Sequence, residues 1–327
     1  MRSFEYTRAE SPEAAVKSMA AKPQGRFLGD GTNLLDLMKD DIESASDLID
    51  LTRLDLTAIT ETADGLSLGA LAKNSDTGNH ELVRKNYPLL SQAIFAVASA
   101  QIRNMATNGG NILQRTRCPY FYDTAMPCNK REPGSGCGAV EGLNRMHAIF
   151  GASEKCVATH PSDMAVALAA LDAKVRVKTP AGEERVIPFS EFHRLPGDQP
   201  ERDNTLEHGE LIVAIELPKN RFKDHSYYLK VRDRASYAFA LVSVAAALEM
   251  DGGSIKAVRL AMGGVSHKPW RALKAEEFLK GKEPTEENFT AAADAEMAEA
   301  KPLEHNAYKV ELGRRAIVRA LQKAATA

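Results

Sequence analysis

The 327-residue chain reads as a mixed α+β protein with a larger first part and a smaller second part. Three observations lead there. Short apolar runs alternate with helical periods through the first part. Pro218-Lys219-Asn220-Arg221 breaks the pattern, which marks a boundary near 218–226. Beyond the break come strands and then a tail rich in Ala, Glu and Lys with helical period. A chain of this length exceeds one ordinary core, so two or three compact units are expected.

Taken in order, Ser11-Pro12 opens a short amphipathic helix over 11–21, a cap followed by proline in the first turn. Arg26-Phe27-Leu28 is a short strand that runs into Gly29-Asp30-Gly31-Thr32-Asn33. A helix carrying Leu34, Leu35, Leu37 and Met38 follows, and then a strand, Leu48-Ile49-Asp50-Leu51. Alternation around Asp64-Gly65 predicts a hairpin from Ile59 to Ala70. Helical patterns cover 74–84 and 88–100. His160-Pro161-Ser162-Asp163 caps a helix from Met164 to Ala173, and strands follow near 174–178, 184–188 and 210–217. After the boundary, 227–232, 239–249 and 255–262 read as strands and 271–327 as helical.

Composition excludes several classes. The chain is 44% hydrophobic and 26% charged with net charge −2, so no basic excess recommends nucleic acid. No run approaches the length of a membrane span. Met1-Arg2-Ser3-Phe4-Glu5-Tyr6 lacks the apolar stretch of a signal peptide, so the chain on its own is addressed to the cytoplasm. There cysteines stay reduced, which favours metal binding over disulfides.

All four cysteines, Cys118, Cys128, Cys137 and Cys156, fall within 39 residues. The gaps are nine, eight and eighteen residues, without the close Cys-x-x-Cys pair usual in zinc ribbons. Four thiolates suffice for a zinc ion or an iron–sulfur cluster, and spacing alone does not decide between them. From 115 to 156, six Lys/Arg face four Asp/Glu, an excess of +2 that suits an anionic cluster.

Two glycine-rich turns stand out, Gly29 to Asn33 and Thr107-Asn108-Gly109-Gly110-Asn111. Each offers backbone amides that a phosphate can approach closely. Neither is a G-x-G-x-x-G or Walker motif, and either alone reads equally well as a tight strand–helix turn. Two together fit the diphosphate of a dinucleotide. Lys230, Arg232 and Arg234 fall on one face of a predicted strand. Arg232 and Arg234 read as a solvated edge, whereas Lys230 follows Tyr227-Tyr228-Leu229 and suits the rim of a pocket.

In order along the chain, Phe27 to Leu35, Thr107 to Ile112, Pro161-Ser162-Asp163, Gly209 to Pro218, Lys230-Val231-Arg232, Met262-Gly263-Gly264-Val265 and Pro269-Trp270-Arg271 resemble the flavin-binding subunits of the xanthine oxidase family of molybdenum hydroxylases. That resemblance implies a two-subdomain FAD-binding domain of the PCMH type over 1–222 and a smaller C-terminal α/β domain over 223–327, like that of the CO dehydrogenase flavoprotein. It implies FAD contacts from Arg26, Phe27, Leu28, Gly29, Asp30, Gly31, Thr32, Asn33 and Leu34, and from Thr107, Gly109, Gly110 and Asn111. Asp163 is the expected partner of a flavin-nucleotide hydroxyl, Ile212 or Val213 a wall of the flavin pocket, and Lys230 a neighbour of the ring. Asp30 replaces a glycine common in the family, and its charge beside a diphosphate is expected to point outward.

In most of that family the Gly-Gly-Asn turn and the Asp of the next helix lie close in sequence. Here Asn111 and Asp163 are 52 positions apart, and an insertion over about 114–160 carries every cysteine. Arg115 to Asp123 and Pro127 to Arg131 resemble the flavin subunits of bacterial periplasmic three-subunit aldehyde oxidoreductases, where this loop holds a [4Fe–4S] cluster. The resemblance implies an electron-transfer subunit in a heterotrimer. A large partner with a molybdenum cofactor oxidises aldehyde to carboxylic acid, a small partner carries [2Fe–2S] clusters, and an external acceptor takes the electrons. It also implies export with a signal-bearing partner, the cytoplasm being the alternative. No catalytic acid–base pair is expected, and His147 and His160 read as structural. Rival readings are a purine or heterocycle hydroxylase subunit, a stand-alone FAD oxidase with a zinc loop, and a flavin-free zinc scaffold.

Overall fold

The computed structural model describes residues 1–327. Its strands form three sheets. The first is parallel, with β1 (Glu5–Arg8), β2 (Gly25–Leu28) and β3 (Asp47–Asp50) in the order β1-β3-β2. The second contains β4 (Ile59–Thr62), β5 (Gly65–Gly69), β6 (Lys174–Lys178), β7 (Glu184–Pro188) and β8 (Leu211–Pro218), ordered β4-β5-β8-β6-β7. The third is antiparallel, with β9 (Ser226–Val231), β10 (Val242–Asp251), β11 (Ser254–Gly263) and β12 (Trp270–Arg271), ordered β12-β11-β10-β9.

Local chemistry accounts for most boundaries. Ser11 Oγ accepts the amide of Ala14 at 3.1 Å and caps helix Pro12–Ala20. The hairpin turns between β4 and β5, where Asp64-Gly65 predicts it. Strand β1 escapes a hydropathy reading because all four of its residues are exposed. It is pinned by buried Asp50, which accepts from Tyr6 Oη and, at 3.0 Å, from Arg8 Nε. The strand predicted through Arg234 stops at Val231, and Arg232 turns to donate to the Ala96 carbonyl at 3.3 Å. The helical tail is three helices, Leu273–Leu279, Glu286–Met297 and Tyr308–Ala325, preceded by the short β12.

Three apolar cores match the three sheets. The largest lies between the five-stranded sheet and helices Pro88–Ala96 and Asp163–Ala170. A second packs the C-terminal helices on β10 and β11. A small one joins the parallel sheet to helix Pro12–Ala20.

The segment over about 114–160, read from the sequence as an insertion, is not a detached loop. It has only two short helical turns, Pro119–Tyr122 and Gly138–Glu141. Yet Ile149 and Phe150 enter the C-terminal core, and Phe150 stacks on Trp270 with ring centroids 4.8 Å apart. At its other end Phe121 and Cys128 pack with Leu37 and Ile42 behind the first glycine turn. Burying these apolar groups at both ends anchors the segment.

Candidate functional site

The two glycine turns meet. In the first, Gly31 takes φ 77°, a conformation glycine adopts without strain. The amides of Gly29, Asp30, Gly31, Asn33 and Leu34 have no protein acceptor, which makes the turn a concave array of free donors suited to an anion. Asp30 does not point outward as expected. Its Oδ1 accepts from Thr32 N at 2.7 Å and Oγ1 at 2.5 Å, and its Oδ2 accepts from Thr107 N and Oγ1, both at 2.8 Å. The carboxylate is drawn inward because Thr107 supplies two donors at once. It latches the turns together and leaves the free amides for a ligand. A Cβ at position 110 would lie 2.7 Å from Asp30 Oδ2, so a larger residue there must push the latch apart.

Two clefts flank the latch. The first, about 1020 Å³, is lined by Arg26, Phe27, Leu28, Gly29, Asp30, Gly31, Thr32, Asn33 and Leu34, with Thr107, Gly109, Gly110 and Ile212 opposite. The second, about 1600 Å³, is lined by Asn111, Asp163 and Lys230 together with Arg103, Tyr237 and Phe239. Thr32, Asn33 and Gly110 belong to both walls. A single groove therefore runs across the glycine turns, with room for a long ligand whose charged middle sits at the latch. Asn33 Nδ2 is buried there without a partner, an unmet donor of the kind a bound anion satisfies. Val213, expected as a wall alongside Ile212, lines neither cleft. It faces the small core with Ala9, Leu54 and Leu71, at a bulge where Ile212 and Ala214 pair with adjacent residues of β6 and Val213 is left unpaired. Leu51, Leu71, Arg115 and Leu211 also line the first cleft. Nothing in the sequence distinguishes those leucines from core residues.

Asp163 lies at the start of its helix, buried, and accepts from Lys230 Nζ and from Tyr228 Oη, each at 2.7 Å. Burial pushes its pKa up, against the pull of Lys230. Lys230 also donates to the Ala96 carbonyl at 3.1 Å, so both charges are held by protein. Asn111 works indirectly: its Oδ1 accepts from Ser162 Oγ at 2.5 Å and its Nδ2 donates to Asn74 at 2.7 Å. It clamps the second glycine turn to the cap of the Asp163 helix across the whole insertion.

The four cysteines are free thiols and line one small cavity with Tyr120, Lys130 and Ala158. The backbones of Cys128 and Cys137 pair in an isolated antiparallel β-bridge. Burial pushes the Cys118 thiol up to about 12 and the Cys156 thiol to about 11. No three His, Cys, Asp or Glu side chains are gathered so as to hold a single metal ion. Cys118 also borders a third cavity, about 620 Å³, whose other wall holds Asp163 and Phe239 of the second cleft. A buried ionic network joins the two regions from behind. Asp203 Oδ2 lies 2.6 Å from Arg115 Nε in the first cleft, and its Oδ1 accepts from Lys130 Nζ at 2.6 Å beside the cysteines. Lys130 also meets His267 Nε2 at 2.7 Å.

The fold is that of a flavin-binding subunit. Residues 2–220 match the family model of the FAD binding domain in molybdopterin dehydrogenase, and residues 227–324 that of the CO dehydrogenase flavoprotein C-terminal domain. The chain belongs to the FAD-binding subunits of the xanthine oxidase family of molybdenum hydroxylases and is an oxidoreductase subunit. It is 50% identical to the aldehyde oxidoreductase FAD-binding subunit PaoB of Escherichia coli (strain K12), over 99% of both chains. It is 29% identical to the glyceraldehyde dehydrogenase medium chain of Sulfolobus acidocaldarius, over 85% of this chain and 82% of that one. Among solved structures, carbon monoxide dehydrogenase from Hydrogenophaga pseudoflava superposes with a TM-score of 0.78 at 26% identity, covering 99% of this chain and 98% of that one. No helix is long and apolar enough to cross a membrane.

Proposed function

We propose that this chain is the FAD- and [4Fe–4S]-carrying electron-transfer subunit of a molybdenum-dependent aldehyde oxidoreductase. The observation that carries the reading is the shared cavity wall: Cys118 of the four-thiol site and Asp163 of the flavin groove border the same space. In this reading the free amides of Gly29 to Leu34 and the turn at Thr107, Gly109 and Gly110 hold the diphosphate. Asp163 and Lys230 border the ring end of the groove, and Ile212 borders the other cleft. The FAD-binding domain extends over 1–222, and the C-terminal domain over 223–327.

Cys118, Cys128, Cys137 and Cys156 are the cluster ligands. What supports reading them as one centre is that all four thiols line the same cavity. Bound flavin supplies a centre that exchanges electrons singly or in pairs, and the cluster one that exchanges them singly. Cys118 and Asp163, on the wall of one cavity, would hold the two centres side by side. Aldehyde oxidation takes place on a large molybdenum-cofactor subunit, a small [2Fe–2S] subunit delivers electrons, and an external acceptor removes them. The complex is exported to the periplasm with a signal-bearing partner. Likeness to an aldehyde oxidoreductase subunit over 99% of both chains supports the substrate class.

The test is anaerobic copurification with both partners. The expected result is one FAD and about four iron and four sulfide per copy of this chain, with flavin bleached by aldehyde only when the partners are present. Zinc without sulfide, or bleaching of the isolated chain by aldehyde, would overturn the reading.

A further inference from the structure

Cys118 differs from the other three cysteines in facing both the four-thiol cavity and the cavity that reaches the flavin groove. One side chain meets its sulfur: His147 Nε2 lies 3.1 Å from Cys118 Sγ. His147 is 2% exposed, and its backbone is held from three directions. Its amide donates to the Asn144 carbonyl at 3.0 Å. Its carbonyl accepts from Lys309 Nζ at 3.0 Å and from Asn306 Nδ2 at 3.2 Å. Lys309 also binds the carbonyls of Met146 and Gly264, and both Lys309 and Asn306 are fully buried. The C-terminal domain thus grips the peptide that carries the imidazole.

The tautomer follows from the partners. His147 Nδ1 is buried and has none. A proton on Nδ1 would be an orphaned buried donor, the costlier kind of unmet group, and would turn a lone pair toward the sulfur. A proton on Nε2 makes an N–H···S hydrogen bond and leaves at Nδ1 only an unused acceptor. With Cys118 as an iron-bound thiolate, Nε2–H is the arrangement the site stabilises.

We propose that His147 is a positioning residue that donates a hydrogen bond from Nε2 to Cys118 Sγ, and that the C-terminal domain thereby sets the reduction potential of the thiolate centre at its flavin-facing corner. This rests on the cluster reading above. A donor to a ligand sulfur draws off negative charge, and so favours the form with one more electron and raises the potential. The step is the gain of one electron, supplied by aldehyde oxidation on the partner subunit. No bond forms or breaks, and the Nε2 proton stays on the ring.

The experiment is a potentiometric EPR titration of the intact complex carrying His147→Leu or His147→Gln, with iron, sulfide and FAD measured on each. His147→Leu retains all three and shifts the midpoint negative by about 59 mV, the equivalent of a tenfold change in the one-electron equilibrium. His147→Gln, whose amide N–H can donate again, recovers most of the shift. An unshifted potential in His147→Leu, or an equal shift in both variants, overturns the proposal. So does iron lost from His147→Leu alone, which would make the residue a ligand or a brace. Wild-type complex without iron and sulfide instead sinks the cluster reading itself.

Discussion

Asp30 concentrates the local chemistry of the groove. A carboxylate beside an expected diphosphate looks unfavourable in one dimension, and its direction is set by Thr107, 77 residues away. Asp30→Asn keeps the shape but turns its NH2 against the donors of either Thr107 or Thr32, leaving a backbone amide unmet. The cost is about 1–3 kcal/mol, and the turns should loosen. The expected outcome is weaker FAD retention on gel filtration and a lower melting temperature of the apo chain. Gly110→Ala acts on the same contact by steric overlap with Asp30 and Thr107, and should release FAD with little change in far-UV dichroism. The glycine turns were legible as close-approach turns because close approach and positive φ have a residue signature. The direction of Asp30 was not, because a polar side chain follows whichever partners the fold brings near.

Between elements, the pair Asp163–Lys230 joins helix Asp163–Ala170 to β9 with both side chains almost fully buried. Lys230→Met strands a carboxylate inside the protein, and such a loss costs about 3–5 kcal/mol. Asp163→Asn in the same chain should recover part of that stability, because no uncompensated charge is left. A double-mutant cycle by urea denaturation measures the coupling, and additive losses would show that the pair is not coupled. Helix caps at Ser11 and Ser162 and the hairpin at Asp64-Gly65 were readable because their signals are local. Strand β1 was not, since its residues carry no apolar alternation and its place depends on pairing with β3. The choice of Ile212 over Val213 also needed the sheet, because Val213 is the unpaired residue of a bulge against β6.

Across the molecule, three histidines besides His147 sit buried between the insertion, the flavin domain and the C-terminal domain. Burial lowers His193 and His267 to about 4 and His160 well below its ordinary value. In the unfolded chain these groups titrate near 6.5. Between about pH 6.5 and 4 the unfolded state therefore binds protons that the folded state refuses, and stability falls as the pH drops through that window. Each histidine contributes up to about 1.4 kcal/mol per pH unit there. Asp203 adds to the loss below its ordinary carboxylate range: burial pushes its pKa up, but Lys130 and Arg115 more than reverse this. Urea midpoints should drop clearly from pH 7 to pH 5, and equal midpoints would mean that these imidazoles are charged in the fold.

Residue order alone dictates the α+β class, the two glycine turns, the boundary near 218–226 and the gathering of every cysteine between Asn111 and Asp163. Each of these is written in local periodicity, turn chemistry or spacing. Packing in three dimensions decides the rest. It folds Asp30 inward, spends Lys230 on Asp163, sets Cys118 against His147 and buries Phe150 of the insertion beneath Trp270. Those contacts join residues far apart in the chain, and a buried polar group takes whichever partner compensates its lost hydration. The cysteine segment thus reads in one dimension as an insertion, and in three as a piece wedged between two cores with one thiol turned toward the flavin groove.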